Sequence, residues 1–252
     1  MRIGVIGGGV GGLSIAAILR NQHPEASVTL LERSKNLGGR CTSFDTLAGS
    51  QSFRHEEGPS LMLLPEVYEE IFKRSGTTAS ACGLNYVECS DPPYMCYIQE
   101  GNGESTRTEK MLLGGSAKND PTFEEYLDVS ELLLDVGLPL AIEESPSKVP
   151  VSSILPLVKS LLRHKFNPLG SFMKNLDGFN NMSPAMKAAA SFQSLYVGLK
   201  PDSAPAVFSL LSALELRKGV FAPLGGFASV RDSLVRACGD GVEFRVGTAV
   251  TR

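Results

Sequence analysis

The chain has 252 residues, with 42% in the AVILMFWYC set and 26 glycines besides, a length that allows one large domain or two small ones. That apolar content is enough for a sizeable core and excludes disorder, and 24 Lys and Arg against 27 Asp and Glu leave a net charge of −3 with no global field to attract nucleic acid. The five cysteines include no C-x-x-C pair and the three histidines (His23, His55 and His164) are scattered, which argues against a metal site and reads as reduced thiols in a reducing compartment.

The opening MRIGVIGGGV lacks the basic start, apolar stretch and small-residue cleavage site of a secretory signal. The longest apolar runs, at 132–134 and 136–142, fall well short of the ~20 residues of a membrane span. The expected compartment is cytoplasmic or plastid-type. Peripheral contact with a membrane is a separate question.

Residues 2–6 (RIGVI) read as a buried parallel strand, residues 13–19 as a helix, and residues 28–31 (VTLL) as a second buried strand ending in Glu32. Between the first strand and the helix lie Gly7, Gly8, Gly9, Val10, Gly11 and Gly12. Strand, glycine loop, helix, strand and acid form the βαβ unit that binds a dinucleotide. Gly7 permits the tight turn, Gly9 lets backbone approach a pyrophosphate, and Gly12 with Ala16 lets the helix pack close to the sheet. The helix N-terminus offers N–H groups to phosphate. Glu32, about 20 residues past Gly12, falls where a carboxylate accepts hydrogen bonds from an adenosine ribose and would repel a 2′-phosphate, disfavouring NADP.

After Glu32 and Arg33 come Asn36, Gly38, Gly39, Arg40 and Ser43. This run resembles the R-x-G-G-R-x-x-S/T motif of the FAD-dependent amine oxidase and carotenoid desaturase superfamily, with Asn36 in place of the first arginine. Residues 53–60 (FRHEEGPS) are similar to the F-x-x-D-x-G-P-S segment of carotenoid desaturases and isomerases, whose Gly-Pro-Ser backbone lies close to the flavin ring. That likeness assigns Gly58, Pro59 and Ser60 to the cofactor. Glu56 stands where aspartate is usual, and His55 beside Glu56 and Glu57 reads as a solvated turn rather than an acid–base cluster.

Pro65 starts a helix carrying Val67, Tyr68, Ile71 and Phe72 at helical spacing. Residues 83–112 read as short strands separated by turns at 91–93 and 101–103, and 121–140 as an amphipathic helix. Residues 151–176 interleave Ile154, Leu155, Leu157, Val158, Leu161 and Leu162 with Lys159, Arg163, His164, Lys165 and Lys174, and contain no acid. Two readings stay open for this stretch, a basic amphipathic element lying in a membrane interface and a core-facing helix with a basic outer face.

Residues 195–201 (LYVGLKP), an apolar helix at 204–211, and 219–226 (GVFAPLGG) before a helix at 228–237 resemble the polyene branch of the same superfamily. Its Y-x-G-x-x-P and G-x-x-x-P-x-G-G segments have this order. Residues 241–250 would be the following strands, and the family places the backbone of the final valine, here Val250, against adenine. The family continues well past this point, so the chain reads as the N-terminal part of a longer protein or a truncated member that does not turn over substrate alone.

The resemblance implies an α/β fold, a doubly wound Rossmann-like FAD-binding domain from 1–64 and 218–252 with an inserted α+β substrate domain at 65–217. It implies FAD-dependent desaturation or cis–trans isomerisation of a carotenoid-like polyene, with Gly7, Gly9, Gly11, Gly12, Glu32, Arg33, Gly38, Gly39, Arg40, Gly58, Pro59, Ser60 and Val250 at the cofactor and no nominated catalytic acid or base. The alternatives are a flavin amine oxidase acting on a polar amine and a non-catalytic nucleotide-binding module.

Overall fold

The computed structural model describes residues 1–89, 92–100, 107–114, 120–141 and 146–251. The turn expected at 91–93 lies partly outside these residues and the one at 101–103 wholly outside them. The chain runs β1 (Arg2–Ile6), α1 (Val10–Gln22), β2 (Ser27–Leu31), β3 (Ser43–Ala48), β4 (Gln51–Glu56), α2 (Pro65–Arg74), β5 (Tyr86–Glu88), β6 (Tyr94–Glu100) and β7 (Arg107–Leu113). It continues through α3 (Pro121–Ala141), α4 (Val151–Arg163), α5 (Phe172–Leu176), α6 (Pro184–Ser191), α7 (Leu210–Lys218), β8 (Phe221–Pro223), α8 (Phe227–Cys238) and β9 (Val242–Arg245).

Two compact units result, Met1–Glu88 with Phe221–Arg252, and Cys89–Val220. The first break therefore falls after Glu88, not at the 64/65 boundary expected from the end of the glycine motifs. The reason is α2, which buries Phe72 in one apolar cluster with Leu13, Leu30 and Met62. A helix whose large apolar residue fills that core cannot be assigned to the insertion.

In the first unit β1 pairs parallel with β2 from Arg2↔Ser27 to Ile6↔Leu31, and β2 pairs parallel with β9 from Val28↔Val242 to Leu31↔Arg245. Parallel neighbours need a crossover, which α1 supplies between β1 and β2. Val5, Val28, Leu30 and Val242 share a core with Leu13, Ala16 and Ala17 of α1 and Phe227, Val230 and Leu234 of α8. Alternation sends their neighbours to the other face. Ile6 is 70% exposed there, and Gly4, Glu243 and Arg245 are exposed as well. The expectation of a buried β1 is met only at Val5, because the described helices α1 and α8 pack against that face. Pairing also stops at Arg245, so the strand expected over 241–250 is four residues followed by a turn.

The second unit is helical with one hairpin among its described residues, β6 against β7. Its core gathers Phe123, Tyr126 and Leu127 of α3 with Phe172, Leu176 and Phe179. The apolar helix expected at 204–211 is a 3-10 turn (Ala206–Ser209) leading into α7. The basic stretch at 151–176 divides in two. Phe172 and Leu176 of α5 are fully buried, whereas α4 buries only Ser153 and Leu157 and leaves most of its aliphatic side chains exposed.

Candidate functional site

The site lies in the first unit, where the turn after β1, the end of β2 and the 38–41 segment converge. Gly7 sits at φ +100°, a conformation that disfavours any side chain, and its N–H donates to the Leu31 carbonyl at 2.8 Å. A Cβ on Gly12 would fall 1.8 Å from the Gly7 carbonyl oxygen, so α1 can approach the turn only without a side chain there. Ala16 is fully buried beneath. Gly11, by contrast, is exposed, and a Cβ there would meet nothing within 4 Å.

The two glycine motifs read separately in the sequence pack directly on each other. The Gly38 N–H donates to the Gly8 carbonyl at 2.7 Å, and Gly9 and Gly38 form a parallel bridge. A Cβ on Gly39 would stand 3.0 Å from Gly9 Cα. Gly38, at φ +120°, is buried against Arg231 of α8, where a Cβ would meet Cδ at 2.7 Å. Gly9 precedes α1 in extended conformation, and no side chain caps the helix. The first N–H groups of α1 therefore have no intrahelical acceptor and carry the positive end of the helix dipole. That is a cradle for an anion built from backbone.

Glu32 closes one side of it. Its Oε2 accepts from Gly8 N–H at 2.6 Å and its Oε1 from Ser34 N–H at 2.7 Å. These two bonds, the one from Ser34 foremost, hold the carboxyl below its ordinary pKa, so it is ionised and fixed at neutral pH. Each oxygen keeps a lone pair for a further donor. The turn after β9 zips onto the same segment, with Gly247 N–H donating to Ser34 and Thr248 N–H to Glu32, both at 2.8 Å. Val250 follows two positions on and is 52% exposed. Arg33 and Arg40 are exposed.

Gly58 joins the site through Arg40, since a Cβ on Gly58 would lie 2.4 Å from the Arg40 carbonyl oxygen. Pro59 is half-buried and Ser60 exposed beside it. The preceding residues are β4, not a turn, which corrects the reading of His55. Its Nε2 shares a hydrogen bond with Thr46 Oγ1 at 2.8 Å across the hairpin, and its ring stacks on Phe44. Strand alternation aims Arg54 and Glu56 the other way. There Glu56 Oε2 accepts from the Phe227 N–H at 3.2 Å, and Arg54 Nη1 donates to the Gly225 carbonyl at 2.8 Å. The 53–60 and 219–226 motifs thus form one latch at the start of α8. Sequence reading missed it, although a signal was present: Gly225 and Gly226 precede a helix with no Ser, Thr, Asp or Asn to cap it.

Cys41 is buried beside this cluster, and desolvation, with Glu56 adding to it, raises its thiol pKa. It is a packed side chain and not a nucleophile. All five cysteines are free, and the described residues contain no group of three His, Cys, Asp or Glu able to hold a metal ion.

Residues 5–74 match the family model described as NAD(P)-binding Rossmann-like domain. Over 98% of its length the chain is 34% identical to a phytoene desaturase of Fusarium fujikuroi and spans 43% of that protein. It is 27% identical over its full length to a zeta-carotene-forming phytoene desaturase of Myxococcus xanthus, covering 48% of it. The chain thus spans less than half the length of these curated relatives. Among solved structures, cyclohexylamine oxidase from Brevibacterium oxydans superposes with a TM-score of 0.54 at 15% identity, over 96% of this chain and 50% of that one, a likeness of fold alone.

Proposed function

We propose that this chain, homologous along nearly its whole length to the phytoene desaturases, is the FAD-holding part of an oxidoreductase acting on a carotenoid-like polyene, by desaturation or cis–trans isomerisation. The observation that carries the proposal is the backbone contact of Gly9 with Gly39 in front of an uncapped helix, flanked by ionised Glu32. These residues fit a dinucleotide. The free N–H groups of α1 would take the pyrophosphate, exposed Arg40 would add a cation beside it, and Glu32 would receive the adenosine ribose while repelling a 2′-phosphate. Bound flavin supplies hydride acceptance, and the protein's share is binding, orientation and exclusion of water. A lipid-soluble substrate makes peripheral contact with a bilayer part of the same proposal, in a reducing compartment that suits free thiols.

Replacing Glu32 by Ala tests it. Flavin retention should weaken by about 1–3 kcal/mol, the cost of losing one charged hydrogen-bond partner, while far-ultraviolet circular dichroism stays unchanged. Unaltered flavin affinity overturns the ribose assignment. Carotenoid profiles of a polyene-producing host expressing an extended form of the gene test the substrate, and an unchanged profile with flavin bound would point to another substrate class.

A further inference from the structure

Helix α4 is amphipathic the wrong way round for a core helix. Val151, Ile154, Leu155, Val158 and Leu162 are 81, 45, 60, 46 and 74% exposed, while Ser153 and Leu157 face inward. At 3.6 residues per turn the five exposed aliphatic side chains fall within an arc of about 100° on one side of the helix. Lys159 and Arg163 follow on the next sector round, and exposed Lys165 lies just past the end. Residues 147–176 contain no acid, and Arg163 pairs with Glu125 of α3 at 3.3 Å. No described helix is long and apolar enough to cross a membrane.

Resting on the polyene reading above, we propose that the outer row of α4 is the face this protein lays on an anionic bilayer. The occupant follows from the charge pattern. A second copy would offer the same cations against themselves, whereas an anionic surface matches an apolar row bordered by lysines. The helix would lie in the plane of the interface with Leu155, Val158 and Leu162 among the acyl chains and Lys159 and Lys165 among the headgroups.

The test is co-sedimentation of the purified protein with vesicles of phosphatidylcholine alone or mixed with phosphatidylglycerol. The protein should pellet with the mixed vesicles and be largely released by about 0.5 M NaCl, where screening shortens to a few ångströms. The variant with Leu155→Gln, Val158→Gln and Leu162→Gln, all at exposed positions, should stay in the supernatant with its melting temperature unchanged. Lys159→Gln with Lys165→Gln should weaken binding about tenfold and flatten its salt dependence. Equal pelleting of the triple variant and the parent would overturn the proposal. So would equal binding to neutral and anionic vesicles, or vesicle-independent self-association that the triple variant abolishes. Flavin retention and polyene conversion are measured separately, so failure of α4 leaves the polyene reading intact.

Discussion

A methyl group separates the roles of Gly11 and Gly12. On Gly12 it would overlap the Gly7 carbonyl, and on Gly11 it would meet open space. Gly12→Ala should therefore force α1 off the turn, destabilising the first unit by about 1–3 kcal/mol as other overpacked substitutions do. Gly11→Ala should leave stability equal or raised by up to about 1 kcal/mol through helix propensity, so any flavin it loses reports the cofactor and not the fold. Thermal melting with bound-flavin absorbance checks both, and equal destabilisation would refute the distinction. The spacing of these glycines was legible in the sequence because a tight turn and a close helix are local demands. Glu215 was not legible. It is fully buried, accepts a long bond from Gln193 Nε2 (3.4 Å), and has the hydroxyls of Tyr94 and Tyr196 beside it. Burial foremost raises its pKa above the ordinary 4.5. Its folded-state pKa thus exceeds the unfolded one, so the stability it contributes is complete below about pH 4.5 and is lost as pH rises through the folded value. Glu215→Gln should flatten that decline in denaturant unfolding as pH rises above about 4.5. An unchanged slope would show that Glu215 is not its source.

Elements are recognised in sequence by period and located in space by long-range contacts that no period records. The βαβ unit was readable because β1, α1 and β2 close within the first 31 residues, whereas β9 joins β2 from 214 positions away, as the Thr29–Glu243 hydrogen bond measures. The α8 latch has the same origin, since its Glu56 cap lies 171 positions from Phe227. Helix α4 fails differently. Its period was clear, but the pattern alone does not say which face the fold covers, and the structure assigns the inner side to Ser153 and Leu157. The latch carries the prediction at this scale. Gly226, at φ +76°, leaves no room for a side-chain cap of its own, because a Cβ there would meet Glu56. Glu56→Ala should cost about 0.5–2 kcal/mol, the range of lost N-caps, with Glu56→Gln retaining part of it because a neutral oxygen still accepts while the charge at the helix dipole is gone. Denaturant unfolding checks the order, and equal loss from both variants would show that charge and not the hydrogen bond holds α8.

The whole molecule is a discontinuous unit interrupted by a continuous one, and the interruption has a structural seam. Glu88 of β5 stands opposite Phe221 of β8 in an antiparallel pair, and the Cys89 N–H donates to the Val220 carbonyl at 2.8 Å just beyond. The insertion leaves and returns as two neighbouring strands. Each unit has its own apolar cluster, Phe72, Leu13 and Leu30 with Phe227 in the first and Phe123, Tyr126 and Phe172 in the second. Every residue of the glycine cradle, together with Glu32 and the α8 latch, belongs to the first unit. Replacing residues 89–220 by Asn-Gly should therefore yield a folded chain, because a two-residue loop of that type joins directly opposed residues of an antiparallel pair with the matching twist. It should keep the circular dichroism of an α/β domain, melt cooperatively, and hold an adenine dinucleotide through the cradle while having no polyene activity. Glu32→Ala in the shortened chain should lower that binding by the same factor as in the parent. A shortened chain that is unfolded would mean the first cluster depends on the insertion, and one that folds without binding would place essential cofactor contacts within 89–220.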